Sequence, residues 1–194
     1  SIWSVYPGFV LLYPNAASGS NNITWDFQGS GYLWLPPLME DPDNENVIYI
    51  AGGGINGGHH LIKLIKMGNT IVHEEMNYPF NNTVTAMAYS PLDPSHWYVM
   101  TYNGTFYHST NYGESWQMTN GFSGPDSHYF YGSTIHPSNQ TLGKVIIGGS
   151  GYSNAPVFIS MNHGQSFQNF SEGLPNTMIF EIDGTLSDQV FFAA

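Results

Sequence analysis

Apolar residues in this chain come in bursts too short for helices. "VIYIA" from Val47, "WYVM" from Trp97, "VII" from Val145 and "VFF" from Val190 each follow a polar turn, and the turns draw on Asp, Ser, Asn and Pro. Short β-branched or aromatic runs bounded by such turns predict buried strands. Between them lie further short segments, such as "TVTAMAYS", "TFYHS" and "WQMT", separated by Pro/Asp and Gly/Asn turns. No stretch sustains a 3.6-residue apolar period, so the expectation is an all-β chain folded as an antiparallel meander.

The bursts keep a beat. Their starts are separated by 50, 48 and 45 residues. A second feature keeps nearly the same beat: "STNYGESW" from Ser109 and "SMNHGQSF" from Ser160 share Ser, Asn, Gly, Ser and an aromatic at identical offsets. Degenerate copies, "SGSNNITW" from Ser18 and "LIKMGNTI" from Leu64, give spacings of 46, 45 and 51 residues. A strand-rich repeat of this size predicts the blades of a β-propeller, each of four antiparallel strands. The units fall at about 1–29, 30–77, 78–120, 121–170 and 171–194. Counting strands, the chain opens on the third and fourth strands of one blade, holds three whole blades and closes on two strands of a fifth. With Ser1 in place of an initiator Met, it reads as a partial propeller whose open sheet edges the remainder of the propeller or another chain would cover. Pairing of the last two strands with the first two, closing a four-bladed ring, is the competing arrangement.

The two clear motifs resemble the Asp-box of the bacterial neuraminidase repeat, Ser-x-Asp-x-Gly-x-Thr-Trp, with Asn in the Asp slot. The resemblance implies the propeller architecture of sialidases, sortilin and xyloglucanases, with the box as the hairpin between the third and fourth strands of a blade. It also implies a structural role for Ser109, Asn111, Gly113, Ser115 and Trp116, and for Ser160, Asn162, Gly164, Ser166 and Phe167. The residue chemistry agrees: Asn side chains can bind turn amides, Gly tolerates positive φ, and an aromatic covers the turn. Trp25, Trp116 and Phe167 are expected at the starts of outer strands.

Charge narrows the partners. The chain carries 14 acidic residues, three lysines, no arginine and a formal charge of −11. Polyanions are therefore excluded, and neither nucleic acid nor insertion into a membrane is expected. Sialidases grip the substrate carboxylate with an arginine cluster, which this chain cannot supply. There is no cysteine, so thiolate chemistry and disulfides are absent. Charged residues make up only 9% and aromatics 15%, a surface finished by amides and hydroxyls that points to an extracellular, cell-surface or periplasmic setting.

Local motifs for chemistry are weak. "GGGING", Gly52 to Gly57, satisfies G-x-G-x-x-G, but "HHLIKLI" follows in a strand slot where a dinucleotide site needs a helix; no cofactor is expected. Asp41, Asp43 and Glu45 alternate like the opening of a calcium loop without the Gly and Glu that complete one, and are expected to form a solvated turn. His59 and His60 are the only adjacent histidines, and neighbours on a strand point to opposite faces, so no metal site is expected. Five N-x-S/T sequons begin at Asn22, Asn81, Asn103, Asn139 and Asn169.

The strand order places the loops between blades, and between second and third strands, on the rim opposite the boxes. Planar rings and amides collect there: Asn56, His59, His60, Tyr78, Asp126, His128, Tyr129 and Tyr152 are the expected ligand contacts. The expected function is a non-catalytic binding or scaffold propeller recognising a glycan or a protein surface. The alternative is part of a polysaccharide-acting glycosidase with catalytic residues elsewhere.

Overall fold

The structure, a computed structural model, describes residues 1–15, 22–27, 33–51, 55–125, 134–149 and 155–194. The chain divides into two compact units, Ser1–Thr83 and Val84–Ala194.

In the first unit, β1 (Ile2–Tyr6), β2 (Phe9–Tyr13) and β3 (Ile23–Asp26) form one antiparallel sheet. It has three strands where the sequence suggested two. The Pro7-Gly8 turn, with Gly8 at φ 91°, folds the opening apolar run back on itself so that Ile2 faces Tyr13. A four-stranded meander follows: β4 (Leu38–Glu40), β5 (Val47–Ala51), β6 (Leu61–Met67) and β7 (Thr70–Glu75). Every residue of β5 is buried, which is why its sequence is a continuous apolar run. One face of the meander presents Ile48, Ile50, Ile62 and Leu64 to Val10 and Trp25 of the first sheet. Sheet stacks on sheet, as blades do.

The second unit repeats the plan. One four-stranded sheet comprises β8 (Val84–Tyr89), β9 (Trp97–Thr101), β10 (Phe106–Ser109) and β11 (Gln117–Met118). The next comprises β12 (Thr134–Pro137), β13 (Val145–Gly148), β14 (Val157–Ser160) and β15 (Gln168–Asn169), and β16 (Ile182–Gly184) pairs with β17 (Phe191–Ala193). β13 divides its side chains by parity. Val145 and Ile147 pack on Tyr98, Met100 and Phe106 of the preceding sheet, while Ile146 packs on Ile179 and Ile182 of the following segment. The outermost strands β11 and β15 are two residues long and exposed.

Among the described residues three sheets are complete four-stranded meanders, and the Ser-Asn-Gly-Ser motifs join the third strand to the fourth in two of them. Trp116 and Phe167 stand immediately before β11 and β15, whereas Trp25 lies inside β3. The degenerate Gly68 motif is a tighter hairpin in which Met67 pairs directly with Thr70. Gly164 is confined twice. Its φ is 79°, and a Cβ there would lie 2.1 Å from the Phe106 ring. Gly68, at φ 61°, has open space at the same position.

Gly164→Ala is therefore expected to cost clearly more than Gly68→Ala. The latter pays only left-handed strain, about 1 kcal/mol, and the former adds overpacking of a further 1–3 kcal/mol or so. Urea denaturation of both variants measures the difference; equal midpoints would show that the Phe106 contact does not restrain the turn.

Candidate functional site

The Ser-Asn-Gly-Ser turns determine what stands beside them. In the first, Ser109 Oγ accepts the Gly113 and Asn111 amides at 2.9 and 3.2 Å and faces Asn111 Oδ1 at 2.9 Å. Asn111 Oδ1 takes the Ser115 amide at 3.0 Å, and Trp116 Nε1 donates to the Gly113 carbonyl at 2.9 Å. The second turn reproduces this: Ser160 Oγ accepts the Gly164 and Asn162 amides at 2.8 and 3.2 Å, and Asn162 Oδ1 takes the Ser166 amide at 3.0 Å. Asn adds a donor that Asp lacks, since Nδ2 reaches Ser115 Oγ at 3.1 Å and Ser166 Oγ at 3.0 Å. In each turn the residue before the glycine is also left-handed, Tyr112 at φ 56° and His163 at φ 59°.

The left-handed position of the second turn carries a histidine that meets two others. His108 occupies β10 just before Ser109 and pairs in register with Tyr98 of β9. His96 closes the turn before β9, its amide donating to the Asp93 carbonyl at 3.0 Å. His96 Nδ1 and His108 Nε2 are 2.8 Å apart, and Tyr98 OH and His163 Nδ1 are 3.1 Å apart. The three rings lie within 15 to 22° of parallel around His163, with centroids 4.4 Å from His96 and 4.9 Å from His108. One nitrogen from each ring lies within 4.8 Å of the other two. Among the described residues this is the group of three or more His, Asp or Glu side chains whose donor atoms converge. The sequence offered no local signal for it, because 55 residues separate His108 from His163 and the expected metal candidates lay elsewhere.

Burial sets the protonation. It pushes His108 down to about 4, helped by the neighbouring charges of His163 and His96. Burial also lowers His163, reinforced by His96 and opposed by Asp93. Behind His96, Asp93 Oδ2 stands 3.6 Å from Nε2, while Asp93 Oδ1 accepts the Ser95 amide and hydroxyl at 3.1 and 2.7 Å. An open cleft of about 170 Å³ borders His108 and His163 and is lined also by Gln117, Asn120 and Gln165.

The expected rim residues are only partly described. In the first unit, His59 and His60 sit at the entry to β6 and Tyr78 follows β7, at the same end of the sheet. The Phe80 amide donates to the His59 carbonyl at 2.8 Å, His60 Nδ1 is 2.9 Å from the Met76 carbonyl and 3.2 Å from Glu75 Oε1, and Tyr78 meets the Phe80 ring edge-on at 5.0 Å. Asn56 lies in a 3-10 turn, Ile55–Gly58, that leads into a strand. Asp126, His128, Tyr129 and Tyr152 lie outside the described residues, as do Gly52 to Gly54.

Asp41, Asp43 and Glu45 do not form a converging group. Asp41 Oδ1 accepts the Asp43 amide at 3.0 Å and Oδ2 the Tyr49 hydroxyl at 2.8 Å. The Tyr49 hydroxyl is pushed up by its burial and then by this bond.

Solved structures share this architecture. The chain belongs to the β-propeller fold. A GH74 enzyme from Niastella koreensis matches with a TM-score of 0.65 at 18% identity, over 97% of this chain and 30% of that one. The GH74 xyloglucanase from Xanthomonas campestris matches with a TM-score of 0.59 at 15% identity, over 97% of this chain and 32% of that one. The WD40 β-propeller domain of Doa1 matches at 0.57 and 13% identity, over 98% of this chain and 58% of that one. The chain thus spans about a third of the length of the GH74 structures it matches. No protein-family model and no curated protein matches it.

The histidine cluster predicts acid lability. An unfolded histidine titrates near 6.5, so between that pH and about 4 the unfolded chain takes up a proton that folded His108 refuses. This contribution is complete above about pH 6.5 and is lost as pH falls toward about 4. Thermal melts in chelator-containing buffer at about pH 7.5 and about pH 5 should show a smaller drop for His108→Gln than for the unsubstituted chain. Identical drops would assign the lability to other groups.

Proposed function

We propose that this chain is a recognition segment of a secreted, cell-surface or periplasmic β-propeller that binds a neutral glycan through the rim opposite its Ser-Asn-Gly-Ser turns. The observation that carries the reading is the gathering of His59, His60 and Tyr78 at one end of the β4 to β7 sheet, where the Phe80 amide binds the His59 carbonyl and the Tyr78 ring meets the Phe80 ring edge-on. Ring faces stack on sugar C–H surfaces and polar tips bind hydroxyls. A formal charge of −11 and the absence of arginine favour a neutral polysaccharide over an acidic one. The resemblance of the two turns to the Asp-box supports the same class of propeller. No helix among the described residues is long and apolar enough to cross a membrane.

The likeness to GH74 enzymes, one of them a xyloglucanase, favours a second reading: a portion of a glycosidase that acts on such a polymer. Glycoside hydrolysis needs two carboxyl groups facing each other across the substrate, some of which would come from outside this chain.

Affinity electrophoresis and calorimetry with xyloglucan and other neutral polysaccharides test the proposal. Tyr78→Ala, His60→Ala and Tyr129→Ala should each weaken binding about 10-fold or more, the equivalent of about 1.4 kcal/mol. Folded variants at Ser109 or Asn162 should bind as the unsubstituted chain does. Release of reducing ends would move the assignment to the glycosidase reading, and loss of binding in folded turn variants alone would place the ligand on the opposite face.

A further inference from the structure

The end of the second unit that carries the Ser-Asn-Gly-Ser turns holds chemistry that a purely structural role for these turns does not use. Three imidazoles converge there from three different segments: the turn before β9, the strand β10 and the second Ser-Asn-Gly-Ser turn. We propose that His96, His108 and His163 form a three-imidazole site for one borderline divalent cation of the zinc class, with a further coordination position open to the cleft beside His108 and His163.

The donor spacing supports this. Tetrahedral zinc with Zn–N bonds of about 2.0–2.1 Å separates its ligand nitrogens by about 3.4 Å. The nitrogens here range from the 2.8 Å contact of His96 with His108 up to a limit of 4.8 Å, and because the His163 ring stacks on the other two, its plane turns on binding so that its in-plane lone pair meets the same ion. Two facing ring nitrogens share at most one proton, whereas a central cation takes the lone pair of each.

The surroundings have the character of an outer shell. Asp93 Oδ2 lies 3.6 Å from His96 Nε2, on the side of the ring away from His108, and its other oxygen is fixed by Ser95. A carboxylate there favours the tautomer with hydrogen on Nε2, leaving Nδ1 free to ligate. Tyr98 OH contacts His163 Nδ1, and Gly143 leaves room for the same ring: a Cβ at Gly143 would come within 2.8 Å of His163 Nε2. The left-handed backbone of His163 is held by the Ser160 and Asn162 hydrogen bonds around it. The turn thus presents a ligand on a rigid support.

The donor set selects the ion. Neutral imidazoles suit zinc, copper and nickel, while magnesium and calcium require oxygen ligands. Three protein ligands with a cleft of about 170 Å³ at the open side leave room for a water molecule on the metal.

The test uses the full chain, stripped with chelator and titrated with zinc chloride by calorimetry near neutral pH. One zinc per chain is expected, and cobalt substitution should give the intense visible absorption of a tetrahedral nitrogen site. His96→Asn and His163→Asn should each weaken zinc binding at least 100-fold and abolish the cobalt bands. Asn tolerates the left-handed conformation at position 163, so the second variant keeps its backbone even where His108→Ala would disturb a buried strand. Asp93→Asn should weaken binding by about 10-fold, as expected for an outer-shell partner. The double variant of the adjacent pair, His59→Asn with His60→Asn, should bind as the unsubstituted chain does. Substoichiometric zinc, unchanged affinity in folded His163→Asn, or loss of binding in the His59/His60 double variant would each overturn the site.

Discussion

Middle strands buried on both faces are the constraint on which the rest of this structure depends. β5 has no exposed residue, and β13 sends Val145 and Ile147 one way and Ile146 the other. A sheet with two apolar faces cannot stand alone in water, so each must be covered by a neighbour of the same kind. That requirement explains the repeat. In the second unit the outermost strands β11 and β15 are only two residues long and exposed, and contribute little to either face.

Stacking of this kind leaves the ends of the sheets to the turns, and the turns must satisfy their own backbone. Ser109 and Ser160 each collect two amides through a single hydroxyl, and Asn111 and Asn162 tie the far side of the loop. The reward is a rigid loop whose next residue is fixed in direction. In the first turn that residue is Tyr112, set edge-on to Trp97 with ring centroids 6.5 Å apart; in the second it is His163, set against His96 and His108. One backbone device therefore supports packing in one copy and converging imidazoles in the other.

The two units carry different chemistry. In the first unit His59, His60 and Tyr78 place two imidazoles and a phenol at one end of a sheet, while the turn end of the second unit holds three imidazoles beside an open cleft. Burial holds His108 neutral, and a neutral imidazole is the form that donates a lone pair.

By itself the sequence determined the repeat, its strands and its turns, because each is a local matter: β-branched bursts such as "VIYIA" bury themselves, and Ser-x-Asn-x-Gly-x-Ser closes its own hydrogen bonds. It misjudged the opening, where the Pro7-Gly8 turn makes a third strand. His59, His60 and Tyr78 stand at one end of their meander because the loops entering β6 and leaving β7 lie at the same end of the sheet. What only the tertiary structure decided was the convergence of His96, His108 and His163. No spacing announces it, because the contact depends on how far one sheet slides along the next. Side-chain interdigitation of Phe106, Val145, Ile147 and Phe158 sets that distance, and a sequence read one strand at a time does not contain it.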